Sequence, residues 1–372
     1  MNRFNSLKTS LMVCAVAAGY LLQSLSPVLA QRFDGQIVSL NECWRYTSSD
    51  LMPEDPASDK DNIYIAERGG RVSAISIQTG IRIWSTDFGG EVRSNVVVLG
   101  STVYVATGTV KAGKQRSGVT LVRALSAVTG LPSFDLPVQT DAEVRLVSAG
   151  GKLVVLTSDG GVTAFENGST NAAWHKSLSR GPIGPIFVWL DKLLLASTDM
   201  KIYVISVLTG AQINSVSTQS SVSALSMIDG DLVWGDDRGE VVRYDLAAGS
   251  VYWRFKNGAR ISGLSTTEEG VLAASLDNFT YLISPYYGRV RWKKRLPARL
   301  ESLTSYGQDL VAVQAVGEPI VTLLSADSGK TVGQITVGDD SFIRPPLAAG
   351  DRLILFTNRQ LIASRLSPCP EK

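Results

Sequence analysis

An eleven-residue frame recurs along this chain about every forty residues, and that recurrence restricts its fold more than any other property. The cleanest copy is AISIQTGIRIW, Ala74 to Trp84: two short runs rich in apolar and β-branched residues joined by Thr79-Gly80. Glycine takes positive φ at almost no steric cost, so this reads as a tight β-hairpin. Further copies are ALSAVTGLPSF (Ala124 to Phe134), VISVLTGAQIN (Val204 to Asn214), RYDLAAGSVYW (Arg243 to Trp253), LISPYYGRVRW (Leu282 to Trp292) and LLSADSGKTVG (Leu323 to Gly333). AFENGSTNAAW (Ala164 to Trp174) keeps the length but moves its glycine to Gly168. The last position of the frame falls at Trp84, Phe134, Trp174, Asn214, Trp253, Trp292 and Gly333, in steps of 50, 40, 40, 39, 39 and 41 residues. A β-rich, glycine-punctuated unit of that period is a four-stranded propeller blade.

Forty residues before Trp84 stands Trp44, in NECWRY, whereas forty residues after Gly333 the chain has already ended at Lys372. The last unit must therefore borrow its outer strand from the N-terminal side. The expected fold is all-β: an eight-bladed β-propeller whose ring is closed by the N- and C-terminal strands. An open solenoid would need capping repeats, and the sequence offers none. Ahead of each hairpin, a run such as Asn95 to Leu99, Leu193 to Ala196 or Ile228 to Trp234 gives an inner pair of strands. Turns follow at Arg68-Gly69-Gly70, Ser158-Asp159-Gly160, Asp236-Asp237-Arg238-Gly239 and Asp277-Asn278. The tryptophan closing each outer strand is expected in the gap between neighbouring blades, where burial contributes about 2 to 3 kcal/mol.

Residues 1–30 have the form of a secretory signal: Arg3 and Lys8, an apolar core from Leu11 to Leu22, and the small-residue site Val28-Leu29-Ala30. The core is too short for a membrane span. Leu11-Met12-Val13-Cys14 lacks the small residue that precedes an acylated cysteine, so lipidation is not expected. The mature part, 31–372, then reads as a single domain. Losing Arg3 and Lys8 leaves 34 basic against 34 acidic residues, a balance that argues against general nucleic-acid binding. Two cysteines remain, Cys43 and Cys369, one at each end of the chain. In an oxidising compartment they either bridge the ring closure or stay as two free thiols. A bridge would carry a nominal entropic gain near ~6 kcal/mol, an upper figure.

Two segments interrupt the pattern. Thr47 to Asn62 (TSSDLMPEDPASDKDN) is polar, acidic and proline-containing, and reads as a loop. Gly108 to Gly118 (GTVKAGKQRSG) accounts for the one long step and projects Lys111, Lys114 and Arg116. It is either an ordinary solvated excursion or a docking finger for an acidic partner.

Catalytic chemistry finds little support. The one histidine, His175, follows Trp174 directly, so strand alternation turns it to solvent. Neither Cys-x-x-Cys nor His-Glu-x-x-His occurs, so no metal site is expected. Asp159, Asp199, Asp236 and Asp277 recur at equivalent turns, where aspartate is favoured for its own hydrogen bonding. Five arginines recur at the start of the innermost strands: Arg93, Arg145, Arg260, Arg299 and Arg344. Together they would form a broken ring at one mouth of the channel. Either Glu91, Glu143 and Glu301, each two residues away, neutralise them, or the ring binds an anion or an acidic peptide.

The frame apolar-Ala-apolar-x-x-x-Thr-Gly-x-x-x-Trp, complete in RVSAISIQTGIRIW, resembles the tryptophan-docking repeat of quinoprotein-type propellers. Two branches of that group matter. The quinoprotein dehydrogenases use pyrroloquinoline quinone and calcium, and many carry an adjacent cysteine pair that this chain lacks. The chain is more similar to the BamB-type subunits of the outer-membrane barrel-assembly machinery, non-catalytic propellers of this size, although these are normally lipidated. That resemblance implies a periplasmic interaction scaffold, in association with the outer membrane, with a protein partner, no cofactor, no transmembrane segment, and a monomer in isolation. The alternative it leaves is a quinone-dependent oxidoreductase or a small-ligand-binding propeller.

Overall fold

The structure, a computed structural model, describes residues 38–108, 119–139, 143–179, 181–337, 342 and 344–370. These belong to one compact unit spanning Gly35–Lys372. The expected signal segment and the excursion bearing Lys111, Lys114 and Arg116 lie outside the described residues. All regular structure described is strand, arranged as eight sheets in a propeller ring, seven of four strands and one of five. The expected fold class and blade number hold.

Blade 1 shows how the repeat becomes a sheet. From the axis outward it runs Ala57–Ser58, Asn62–Ala66, Arg71–Ser76 and Arg82–Asp87. The two middle strands are almost continuously buried because blades cover both their faces, so they read as apolar runs rather than alternating ones. Tyr64 and Val72 from blade 1 pack with Val103, Val105 and Leu125 from blade 2 in one of the clusters between blades. At the hairpin, Gly80 (φ +70°) donates its amide to Ser76 at 2.9 Å. Ala74 pairs with Trp84 and Ile75 with Arg82, which leaves Ile83 as a bulge. The same slip occurs in the other blades and re-aims the frame's last residue into the interblade gap.

What that residue does there follows one rule. Trp84 donates its indole N–H to the Ala127 carbonyl of the next blade at 2.8 Å, Trp174 to Val207 at 2.7 Å, Trp253 to Pro285 at 2.6 Å and Trp292 to Ala326 at 3.1 Å. Each indole also lies against the turn glycine of that next blade, so a Cβ on Gly130, Gly210, Gly288 or Gly329 would come within 2.5 to 2.8 Å of the ring. Asn214 substitutes for tryptophan by donating Nδ2 to Leu246 at 3.3 Å. Gly333 has no side chain to offer, and there the short strand Val38–Ser39 pairs parallel with the outer strand of blade 7 as its fifth member.

The ring closes as the spacing requires. The outer strand of the last blade is Asn41–Thr47, paired antiparallel with Gln360–Arg365, with Trp44 opposite Ala363. Blade 8 has no hairpin turn at this edge, since its two strands come from opposite chain ends. There Cys43, at the bulge position, forms a disulfide with Cys369 across a Cα–Cα separation of 5.3 Å. Asn41 Nδ2 donates to the Leu366 and Ser367 carbonyls, both at 3.3 Å.

One expectation needs correcting. Thr47 to Asn62 is not merely a loop, for it contains the innermost strand of blade 1, Ala57–Ser58. Met52 is buried in the core that joins blades 8 and 1, and its amide bonds to the Asn358 carbonyl at 3.1 Å. Polar composition concealed a strand only two residues long. The run Ile228 to Trp234 spans the turn that joins an inner pair of strands, Val222–Ile228 and Asp231–Asp236.

Candidate functional site

The innermost strands differ around the ring. Those of blades 5, 6 and 7 (Val222–Ile228, Ile261–Thr267, Leu300–Tyr306) are seven residues long and stitched together by hydroxyls. Ser262 donates to Leu300 at 2.6 Å, Thr266 to Met227 at 3.0 Å, and Ser265 bonds to Ser305 at 2.7 Å. Those of blades 1, 2 and 8 have only two or three residues: Ala57–Ser58, Val97–Leu99 and Leu347–Ala349. On this side Asn95 reaches blade 3, donating Nδ2 to the Leu146 carbonyl and accepting its amide, both at 2.9 Å. The short strands leave a cavity of about 1210 Å³, walled by blades 1 to 4 and by the segment entering blade 8.

Three of the five sequence-predicted arginines, Arg93, Arg145 and Arg344, line this cavity. Arg93 donates Nη1 to Thr120 at 2.9 Å and lies under Gly108, where a Cβ would come within 2.7 Å of its guanidinium. Arg145 donates Nη1 to the Gly184 carbonyl of blade 4 at 3.2 Å. Arg344 Nε lies 3.3 Å from Asp55 Oδ1, an ion pair without hydrogen-bond alignment. The other two go elsewhere: Arg260 pairs with Asp237 at 3.2 Å, and Arg299 is exposed with no ion pair among the described residues.

Four carboxylates face the three guanidinium groups: Glu54, Asp55, Glu91 and Glu143. Burial pushes the Glu54 carboxyl above its ordinary range, partly opposed by Arg344. Burial likewise raises Glu301, with Arg344 opposing, and it accepts from Gln314 Nε2 at 3.4 Å. The cavity is therefore of mixed charge, suited to a segment carrying both signs or to an anion that displaces Asp55 from Arg344. Sequence reasoning missed Glu54 and Asp55. The only signal was the acidic run Pro53-Glu54-Asp55, inside a segment that read as a loop.

The remaining candidates have structural partners. His175 is exposed, with Nδ1 2.9 Å from Thr163 Oγ1 and Nε2 3.3 Å from Ser177 Oγ. Asp236 accepts the Arg238 and Glu240 amides at 2.9 and 2.8 Å, and Asp277 accepts the Phe279 amide and the Tyr281 hydroxyl at 3.0 and 2.6 Å. Asp199 accepts the Tyr203 hydroxyl at 2.6 Å. These are turn-forming roles. Among the described residues no three His, Cys, Asp or Glu side chains gather to hold a metal, and no helix is long and apolar enough to cross a membrane.

A family model described as outer membrane protein assembly factor BamB matches residues 34–255 and 237–365. A protein of Yersinia pestis named outer membrane protein assembly factor BamB is 24% identical over 331 residues, covering 81% of each chain. The crystal structure of BamB from Moraxella catarrhalis superposes with a TM-score of 0.70 at 17% identity, over 90% of this chain and 99% of that one. The C-terminal WD40 domain of Sif2 gives a TM-score of 0.71 at 12% identity, over 89% of this chain and 99% of that domain. At such identities the two structural matches speak to the fold alone.

Proposed function

The chain belongs to the family of outer membrane protein assembly factor BamB, and from that membership we propose that it is a non-catalytic periplasmic scaffold that binds a protein partner during assembly of outer-membrane β-barrel proteins. The observation that carries this reading is the extent of the family match, which spans both strands that close the ring and all the blades between them. Residues 1–30 direct export with cleavage after Ala30, and the Cys43–Cys369 disulfide suits an oxidising compartment. Association with the outer membrane is part of the reading.

Two surfaces are proposed for partner contact. In the channel-mouth cavity, Arg93, Arg145 and Arg344 bind an acidic or mixed-charge peptide segment by charge-assisted hydrogen bonds, with Arg260 and Arg299 at the entries of blades 6 and 7. Lys111, Lys114 and Arg116 form a second, docking contact. The cavity's carboxylates stand opposite arginines and form no metal-ligand cluster among the described residues, so they do not fit a calcium-bound quinone.

The test is affinity capture of the mature chain from envelope extract, beside titration with pyrroloquinoline quinone and calcium. Recovery of barrel-assembly components, with no bound chromophore, is expected. A bound quinone with dye-linked activity would replace the scaffold reading by an oxidoreductase.

A further inference from the structure

The outer edge of blade 6 concentrates positive charge. Its outer strand, Val290–Arg295, reads VRWKKR, with Arg289 before it. Between Asp277 and Leu296 the chain has no acidic residue, yet it has five basic ones: Arg289, Arg291, Lys293, Lys294 and Arg295. All but Lys294, which is half-buried, are exposed. Arg291 pairs with Glu269 at 2.6 Å, and the Lys293 ammonium lies 5.3 Å from the Phe279 ring centroid. Arg289, Lys294 and Arg295 have no ion-pair partner among the described residues. A chain whose exported part balances its charges has thus left one strand edge uncompensated.

The hairpin that leads into this edge ends in Tyr286-Tyr287-Gly288. Both tyrosines are 74% exposed, with ring centroids 6.4 Å apart. Their exposure is held by the scaffold beneath. Gly288 lies against the Trp253 indole, and the Pro285 carbonyl receives both Trp253 Nε1 at 2.6 Å and Arg243 Nη1 at 2.7 Å. On the adjoining edge of blade 5, Tyr252 is 58% exposed, with the Arg243 guanidinium 5.2 Å from its ring centroid. Val251 and Val290 are exposed beside them. A rigid fringe of three tyrosines therefore stands at one end of a basic strand.

We propose that this edge of blade 6 is a contact surface for an anionic lipid membrane. Lysine and arginine near a negatively charged leaflet each add attraction that decays within a Debye length. Tyrosine partitions to the headgroup level, with its ring apolar and its hydroxyl wet. Arginine and tyrosine are also enriched at protein interfaces, so capture of an acidic protein by this edge is the competing outcome of the test. The surface supplies a means of membrane contact that needs no lipid anchor. It depends on the exported location proposed above but not on the assembly role.

The test is co-sedimentation of the mature chain with vesicles of phosphatidylethanolamine alone, or of phosphatidylethanolamine mixed with phosphatidylglycerol. Binding to the mixed vesicles, falling as salt is added, is expected. Lys294→Glu with Arg295→Glu should lower that binding by at least about tenfold. Tyr286→Ser with Tyr287→Ser should weaken it at high salt, where the charge contribution is screened. Arg82→Glu, on the exposed outer strand of blade 1, should leave it unchanged. Thermal unfolding of each variant checks that the fold is intact, and the salt dependence of the unaltered chain requires no variant. Equal binding to both vesicle types, or binding indifferent to the charge reversal, would overturn the proposal. So would failure to bind vesicles together with loss of a captured protein from the reversed variant, which would assign the edge to an acidic protein. Vesicle binding without capture of assembly components would uphold this proposal and sink the assembly role.

Discussion

Trp44 donates its indole N–H to the carbonyl of Ile77 at 2.8 Å, from a strand that the N-terminal segment lends to the last blade. The same indole rests on Gly80, where a Cβ would stand 2.5 Å from the ring. Donor, carbonyl and glycine form the unit that repeats at four other blade junctions, so the seam where the ring closes uses the same joint as its interior.

Trp44→Ala should therefore destabilise by about 3 to 5 kcal/mol, as expected for deleting a buried aromatic with its hydrogen bond. Gly80→Ala should cost more than Gly168→Ala. Both glycines have positive φ, which costs about 1 kcal/mol or more for alanine, but Gly168 has open space around it whereas Gly80 abuts Trp44. In the Trp44→Ala background the Gly80→Ala penalty should shrink, because the residues are coupled. Denaturant unfolding of the parent, the three single variants and the double variant measures this; additive losses for Trp44→Ala and Gly80→Ala would contradict the joint.

Cys43 and Cys369 take the place of the hairpin turn that blade 8 lacks. Cys43→Ser with Cys369→Ser should cost roughly 2 to 5 kcal/mol, since the chain-entropy figure for so long a loop overstates what is realised. The loss should appear as a lower unfolding midpoint in non-reducing buffer. Under reductant the two proteins should converge.

Asp231 and Arg243 form a buried ion pair at 2.6 Å that also reaches the Pro285 carbonyl of blade 6. Arg243→Ala strands a buried carboxylate and should cost about 3 to 5 kcal/mol, whereas Arg243→Met with Asp231→Leu should cost much less. Unfolding midpoints of the two variants decide it, and a double variant worse than the single would count against the desolvation argument.

The pH dependence has two parts of opposite sign. Glu54 and Glu301 have folded pKa values raised by burial, from an ordinary value of 4.5. The folded state then holds protons that the unfolded state has released. Their contribution is full below the unfolded value and is lost as pH rises through the folded one. At Asp199 desolvation opposes, but hydrogen bonds from Tyr203, Ser197 and Ser179 outweigh it and lower the pKa. That contribution is present above the unfolded aspartate value and is lost as pH falls through the folded one. Glu54→Gln with Glu301→Gln should flatten the decline of stability above pH 4.5, and Asp199→Asn should flatten the acid limb. Chemical denaturation across pH checks both.

The blade count and the seam were legible in the sequence because a forty-residue period survives even where its tryptophan does not. Asn214 and Gly333 occupy docking positions without an indole, and the spacing still marks them. The cavity was only half legible. Arg93, Arg145 and Arg344 recur with the repeat and so stood out, whereas Glu54 and Asp55 lie in a segment outside the frame. Two-residue strands such as Ala57–Ser58 carry no periodicity, and their pairing comes from the ring rather than from local propensity. The basic edge of blade 6 was visible as RVRWKKR, but its meaning depends on which side chains the blades leave unpaired.

The most direct measurement of the assembly role is the amount of folded, heat-modifiable β-barrel protein in the outer-membrane fraction of cells with and without this chain. The account predicts a decrease on deletion, restored by the full chain and not by a chain carrying Trp44→Ala with Gly80→Ala. An unchanged amount of folded barrel protein after deletion would contradict it.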